Sequence, residues 1–223
     1  MKIKAIITGS TGMVGEGVLH ECLEHSEVEK VLVINRRPCG IVHPKLTEIL
    51  HNDFFDIAPI SDKLKGYNAC FFCLGVTSVG KKEPEYTKLT YTLTLHMAEI
   101  MAKQNPEMTF AYISGAGTDS SEKGKMMWAR VKGKTENDLM KLPFKKVFAF
   151  RPGFIQPTRG LKRTQKAYKY MGPLIPLLKF IFPNFVGSLR ELGLAMINSV
   201  LIGYEKRVLE VKDIRELSIR KIV

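Results

Sequence analysis

The sequence predicts an α/β fold, a doubly wound parallel sheet with a small C-terminal lid lobe over its substrate side. Three observations point to it. Short apolar runs alternate with stretches of helical spacing, a glycine-rich turn joins the first run to the first such stretch, and after Arg151 prolines at 152, 157, 173, 176 and 183 break the alternation. The 223 residues suffice for one core, so 1–223 are expected to form a single domain, with 152–190 making most of the lobe.

The runs "KAIIT", "KVLVIN", "LTEILH", "ACFFCLG", "TFAYIS" and "KVFAFRP" are short and bounded by turn signals, as strands covered on both faces should be. Met13 to His25 sets Val14, Val18, Cys22 and either Leu19 or Leu23 on one side of a helix, and Glu83 to Gln104 does the same with Leu89, Leu93, Met97, Ile100 and Met101. The link from Asn35 to Leu46 is too short for a long crossover helix and reads as a loop. Ser188 can cap a helix running to about Ile202, and "RVLEVKDIREL" adds a short strand and a closing helix. Strand and helix in alternation mean a parallel sheet with helices on both faces. Such sheets bind ligands outside the carboxyl ends of their strands, where the late, irregular lobe is a natural cover.

Composition narrows the partners. Hydrophobic residues are 45% and charged residues 25% of the chain, ordinary for a soluble protein. No segment reaches the roughly 18 uninterrupted apolar residues of a membrane span. "MKIKAIITGS" passes straight from a strand-like run into a glycine turn, unlike a secretory signal, so a cytoplasmic location is expected. The net charge of +12 calls for an acidic partner. Its basic groups, Arg36–Arg37, Lys81–Lys82, Lys123 to Lys134 and Arg159 to Lys169, lack interleaved aromatics, so nucleic acid is not expected and a phosphate-rich small molecule is. The apolar stretch Tyr170 to Gly187 has two readings: a substrate lid or homodimer contact, or a peripheral membrane contact through 159–187. Its prolines interrupt any long amphipathic helix, which favours the lid. Four cysteines make no disulfide framework, and three-residue spacing on a strand sends Cys70 and Cys73 to opposite faces, so both read as buried thiols and no metal site is expected.

The candidate site begins at "ITGSTGMVGEG". Gly9, Gly12 and Gly15, with Ser10, Thr11, Met13 and Val14 between them, stand where a strand gives way to a helix. A tight turn, a close approach to pyrophosphate and close helix packing are what the three glycines supply, with the helix N-terminus facing the phosphates. About 20 residues on, where an acid would hold the ribose 2′-hydroxyl of NAD, the chain has "VINRRP". Asn35 takes the acid's place, and Arg36 and Arg37 offer guanidinium donors to a 2′-phosphate, which favours NADP(H). Asp53 and Phe54 follow the third strand, where a carboxylate could accept from the adenine amine, and Leu74 and Gly75 follow the fourth, where small residues would let backbone run beside the cofactor.

These pieces, in this order with "LGVTSVG", "YISGAGTDSSEKGKMMWARVKGKTENDL", "FRPGFI" and "VLEVKDIREL", resemble the short-chain dehydrogenase/reductase superfamily over nearly the whole chain. The likeness is to its atypical short members, of the kind of the Tat-interacting oxidoreductase and bacterial epimerase-like proteins. The resemblance implies an NAD(P)-binding Rossmann fold in which Ser114 orients the substrate and Lys132 binds the nicotinamide ribose. It implies that Pro152, Gly153 and Phe154 form the cofactor-side loop, which Arg151 anchors. The family's proton-transferring tyrosine lies four residues before the lysine, and Trp128 stands there. An indole N–H donates a hydrogen bond but does not ionise for general acid work. No tyrosine lies between Ile113 and Ala167, and Tyr112, Tyr91 and His96 read as packing residues. Two functions follow: an NADP(H)-binding oxidoreductase or epimerase-like enzyme with an unusual proton donor, and a non-enzymatic NADP(H)-responsive regulatory or binding protein.

Overall fold

The computed structural model describes residues 2–156, 158, 160–161 and 185–221. Strands β1 (Ile3–Thr8), β2 (Val28–Asn35), β3 (Leu46–Leu50), β4 (Ala69–Phe72), β5 (Thr109–Ile113), β6 (Lys146–Arg151) and β9 (Val208–Glu210) form one sheet in the order β3-β2-β1-β4-β5-β6-β9. Every neighbouring pair is parallel. A second ribbon pairs β7 (Phe154–Gln156) in parallel with β8 (Val186–Ser188). The helices among the described residues are α1 (Met13–Glu24), α2 (Glu83–Thr87), α3 (Leu93–Gln104), α4 (Met127–Leu139), α5 (Leu189–Leu201) and α6 (Val211–Ile219). A π-helical segment, Lys88–Thr92, joins α2 to α3, and a 3₁₀ helix, Ala58–Leu64, lies between β3 and β4.

Period-two alternation along the strands splits the interior into two layers. Ile3, Ala5, Ile7, Val31, Val33, Ala69, Phe71, Phe148 and Phe150 face Val18, Leu19 and Cys22 of α1, Leu192 and Met196 of α5, and Leu217 of α6. Ile6, Leu32, Ile34, Cys70, Phe72, Phe110 and Tyr112 face Met97 and Met101 of α3, Leu139 of α4 and Leu64 of the 3₁₀ helix. Helices therefore cover both faces, as the sequence predicts. Cys70 packs in the second layer and Cys73 against the first, the opposite faces their spacing requires.

The order of strands reverses at β1, which has β2 on one side and β4 on the other. This is the switch point where an open α/β sheet leaves a crevice. The strand ends here pass into Gly9, Arg36 and Cys73, and the ends of β5 and β6 into Ser114 and Pro152. Ser188 caps α5 through a hydrogen bond from Glu191 N–H, with the Glu191 side chain returning to the cap. The segment 36–45 is a loop as expected. Two readings change. β3 is an edge strand, and no residue of it is fully buried, because only β2 pairs with it. The stretch after Arg151 is not wholly irregular, since residues 154–156 and 186–188 pair. Most of the predicted lid lobe, with the basic run and the apolar stretch, falls at residues 157, 159 and 162–184, outside the described residues. No helix among the described residues is long and apolar enough to cross a membrane.

Candidate functional site

The glycine turn is built by contacts that leave no room for side chains. Gly9 has φ of +70°, and a Cβ there would lie 2.7 Å from the Cys73 carbonyl oxygen at the end of β4. A Cβ on Gly15 would stand 2.1 Å from the carbonyl oxygen of Gly9, so α1 rests directly on the turn. Gly12 differs. It is exposed, and a Cβ would meet only the Gly9 oxygen, at 3.4 Å. The protein's own packing does not demand glycine at 12. Gly12 is also the N-cap of α1 and gives no side-chain cap, which leaves first-turn N–H groups for an anion. Met13 and Val14 are half-buried in that turn.

Beside it opens a cleft of about 730 Å³ lined by Gly9, Thr11, Ile34 to Pro38, Asn52, Phe54 and Leu74. Arg36 and Arg37 are exposed on its wall, and no ion pair among the described residues uses either. Asn35 does not face the cleft as a free acceptor. Its Oδ1 accepts from Ser10 Oγ at 2.9 Å and its Nδ2 donates to Glu48 Oε1 at 2.7 Å. Phe54 is buried and stacks near His51, with ring centroids 6.5 Å apart. Asp53 is exposed and accepts from the Phe55 N–H at 2.8 Å; its neighbours on each side line the cleft, and it does not. Leu74 N–H donates to Thr8 Oγ1 at 3.3 Å, and Gly75 is exposed in open space. The glycine turn, the uncapped helix start and the paired guanidiniums fit the phosphates of a dinucleotide.

The second half of the site lies at the ends of β5 and β6. Trp128, Lys132 and Glu136 follow one another at four-residue spacing on one face of α4. They descend from rim to floor. Trp128 is half-buried against the loop after β5, its ring edge 3.5 Å from where a Cβ of Gly117 would sit. Lys132 Nζ donates to the backbone oxygen of Ser114. Burial strips solvent from this ammonium and lowers its pKa to about 8, against the pull of the Glu136 charge. Glu136 is 1% exposed. Its Oε1 accepts from Ser114 Oγ at 2.5 Å and from Arg151 Nε at 3.0 Å, and its Oε2 from Arg151 Nη2 at 2.5 Å. Arg151 continues to Ser120 Oγ at 2.5 Å and to Glu210 Oε1 at 3.2 Å.

Ser114 is thus brought beside Lys132, yet its one proton is directed inward to a carboxylate. Glu136 is the member that sequence reasoning misses. A signal was present: Arg151 ends a buried strand, and a guanidinium there needs an acid, which the turn after Lys132 supplies. Pro152 accepts from Ala116 N–H at 2.8 Å, and Phe154 N–H donates to the Phe185 oxygen at 2.8 Å. A Cβ on Gly153 would lie 2.1 Å from that same oxygen, so this glycine answers a packing need. Among the described residues, the phenols of Tyr112 and Tyr91 are committed elsewhere. Tyr112 is buried among Phe72 and Phe110, and burial pushes its hydroxyl far up. Tyr91 donates to Asp138 at 2.9 Å on the surface side of α4.

A family model described as Epimerase, NAD dependent epimerase/dehydratase family, matches residues 5–126, more than half of the chain. The chain belongs to that family. As an epimerase/dehydratase family member it is an atypical short-chain dehydrogenase/reductase and an NAD(P)-binding, epimerase-like protein. Among relatives, "Protein FMP52, mitochondrial" of Meyerozyma guilliermondii is 25% identical over 203 residues, 89% of this chain and 86% of the relative. "Protein fmp52-1, mitochondrial" of Aspergillus oryzae is 30% identical over 167 residues, 72% of this chain and 69% of the relative. "Protein HTATIP2" of Rattus norvegicus is 27% identical over 172 residues, 75% and 70% of the two chains. The naming of the FMP52 relatives as mitochondrial overturns the expected cytoplasmic location. Among solved structures, a short chain dehydrogenase from Burkholderia cenocepacia in complex with NADP superposes with a TM-score of 0.66 at 14% identity, covering 96% of this chain and 92% of that one. The Bordetella bronchiseptica enzyme WbmF in complex with NAD+ gives 0.67 at 13% identity, covering 97% and 76%. At that identity the likeness shows the fold alone.

Proposed function

We propose that this epimerase/dehydratase family member is an NADP(H)-binding oxidoreductase or epimerase-like enzyme. The observation that carries the reading is the pair Arg36 and Arg37, exposed on the cleft wall with no carboxylate partner among the described residues. A 2′-phosphate would take charge-assisted hydrogen bonds from both, each contributing about 1.5–3 kcal/mol. Gly9, Gly12 and the start of α1 would hold the pyrophosphate, Asn52 and Phe54, which line the cleft where Asp53 does not, the adenine end, and Lys132 the nicotinamide ribose, with the backbone of Leu74 and Gly75 running beside the cofactor. Bound there, the nicotinamide supplies hydride transfer to or from a small molecule. The protein's part is to orient that molecule between Ser114, Trp128 and the loop 152–154, and to handle the proton. Ser114 is set to accept from a substrate hydroxyl, because its own proton is held by Glu136. Trp128 cannot ionise, so the proton passes through water or the Lys132 ammonium. We further propose that the chain is one domain and that its partner is a small molecule.

A second reading is favoured by the inward bond of Ser114 and by the indole at 128: a protein whose conformation responds to NADP(H) without turnover. One experiment separates the two. Turnover is measured with NADPH over a panel of aldehydes, ketones and hydroxy compounds for the native protein and for Trp128→Tyr. Native turnover supports the enzyme; no native turnover, with activity appearing only in the variant, supports the responsive binder.

A further inference from the structure

Glu48 lies on the edge strand β3 and is absent from the cleft wall, yet it holds both ends of the arginine segment. Its Oε1 accepts from Asn35 Nδ2 at 2.7 Å and from the backbone N–H of Cys39 at 2.9 Å. Between those anchors lie Arg36, Arg37 and Pro38, all exposed and all on the cleft. The anchors themselves are buried, with Asn35 at 2% and Cys39 at 7% exposure. Asn35 Oδ1 also accepts a hydrogen bond from Ser10 Oγ at 2.9 Å, which ties the same chain of bonds to the glycine turn. A loop of three exposed residues would ordinarily sample many arrangements, and fixing two arginines on binding costs rotamer and backbone freedom. One carboxylate oxygen that grips the loop before and after them removes much of that cost in advance.

We propose that Glu48 is a positioning residue that sets the preference for a 2′-phosphorylated dinucleotide, by clamping Asn35 to Cys39 so that Arg36 and Arg37 are presented together. The inference rests on the reading of these arginines as the 2′-phosphate site. The clamp acts through an acceptor oxygen, so its charge is secondary. Glu48→Gln keeps an acceptor at the same reach; Glu48→Ala removes it; Glu48→Asp is too short to reach both anchors.

The test is equilibrium titration of the full chain and these variants with NADPH and with NADH, alongside amide hydrogen exchange of residues 36–39. Glu48→Ala should lower the NADPH-over-NADH preference about tenfold while leaving NADH affinity within about twofold, and Glu48→Gln should restore the native preference. Glu48→Asp, should the alanine variant fold poorly, should show the same direction with faster exchange at the Cys39 amide. Native preference in both Glu48→Ala and Glu48→Asp overturns the clamp, as does an equal loss in Glu48→Gln, which would make charge the cause. If the unaltered protein binds NADPH and NADH equally, the arginine reading fails and the clamp fails with it. If it prefers NADPH and the variants keep that preference, the clamp alone fails.

Discussion

The two ends of the crevice spend their polar groups differently. At β1 and β2 the groups that a ligand would use are open: Gly12 faces space, α1 has no side-chain cap, and Arg36 and Arg37 are exposed without carboxylates among the described residues. At β5 and β6 the corresponding groups are bonded to one another: Lys132 to the Ser114 backbone, Ser114 to Glu136, and Glu136 to Arg151. Buried polar groups must be satisfied, and here the protein satisfies its own. The first end is prepared for a ligand and the second for rigidity. A change at one end should therefore show its effect without disturbing the other.

The sharpest break is expected at Glu136. Replacing it by alanine leaves the Arg151 guanidinium buried with only Glu210 and Ser120, a loss of about 3–5 kcal/mol. The midpoint of thermal unfolding should fall by about 10 °C. A change within a degree or two in calorimetry would show that this network is not what stiffens the second end.

Next comes the double change Arg36→Ala with Arg37→Ala. Losing the proposed phosphate contacts should weaken NADPH about 30-fold or more with little effect on NADH and no fall in melting temperature, since both side chains are exposed. Calorimetric titration reads this directly. Equal weakening of both nucleotides would place the arginines outside 2′-phosphate recognition.

Gly12→Ala sharpens the contrast further. Its Cβ meets only one oxygen at 3.4 Å, so stability should hold within about 1 kcal/mol while dinucleotide affinity drops about tenfold. Gly153→Ala should do the reverse and unfold first, because its Cβ would lie 2.1 Å from the Phe185 oxygen.

The smallest effect is a titration. Lys132 in the folded protein loses its proton near pH 8, well below an ordinary lysine. Between pH 8 and the usual lysine range the unfolded chain binds the extra proton, so this residue adds stability as pH rises through that window and costs stability below it. Labelling by trinitrobenzenesulfonate should include one fast lysine with a midpoint near pH 8, lost in Lys132→Met. A midpoint near 10 would place this ammonium in water.

Much of this contrast is legible in the residues. The glycine spacing, "NRRP" and the alternation of runs dictate the first end, because that chemistry is local: a turn, a helix start and the residues after a strand. The second end depends on which side chains meet across α4, β5 and β6, and local patterns do not report that. Ser114 and Lys132 come from a resemblance, and it says nothing of where the hydroxyl proton points. Glu136 is one acid among several on a polar helix until α4 docks. The exposed edge at β3 follows from its having one neighbour, a fact of strand order that its apolar run "LTEIL" does not carry. Likewise β7 and β8 are too short, and too far apart in the chain, for pairing to be read from sequence.

We propose that one phosphorylated dinucleotide spans both ends. Trp128, the single tryptophan of the chain, stands at the second end and reports on occupancy there. Titration with NADPH and with NADH, followed by Trp128 emission, tests the claim directly. Both nucleotides should quench that emission, with an NADPH affinity about 30-fold or more above that for NADH. Equal affinities, or tight NADPH binding that leaves Trp128 emission unchanged, would contradict it.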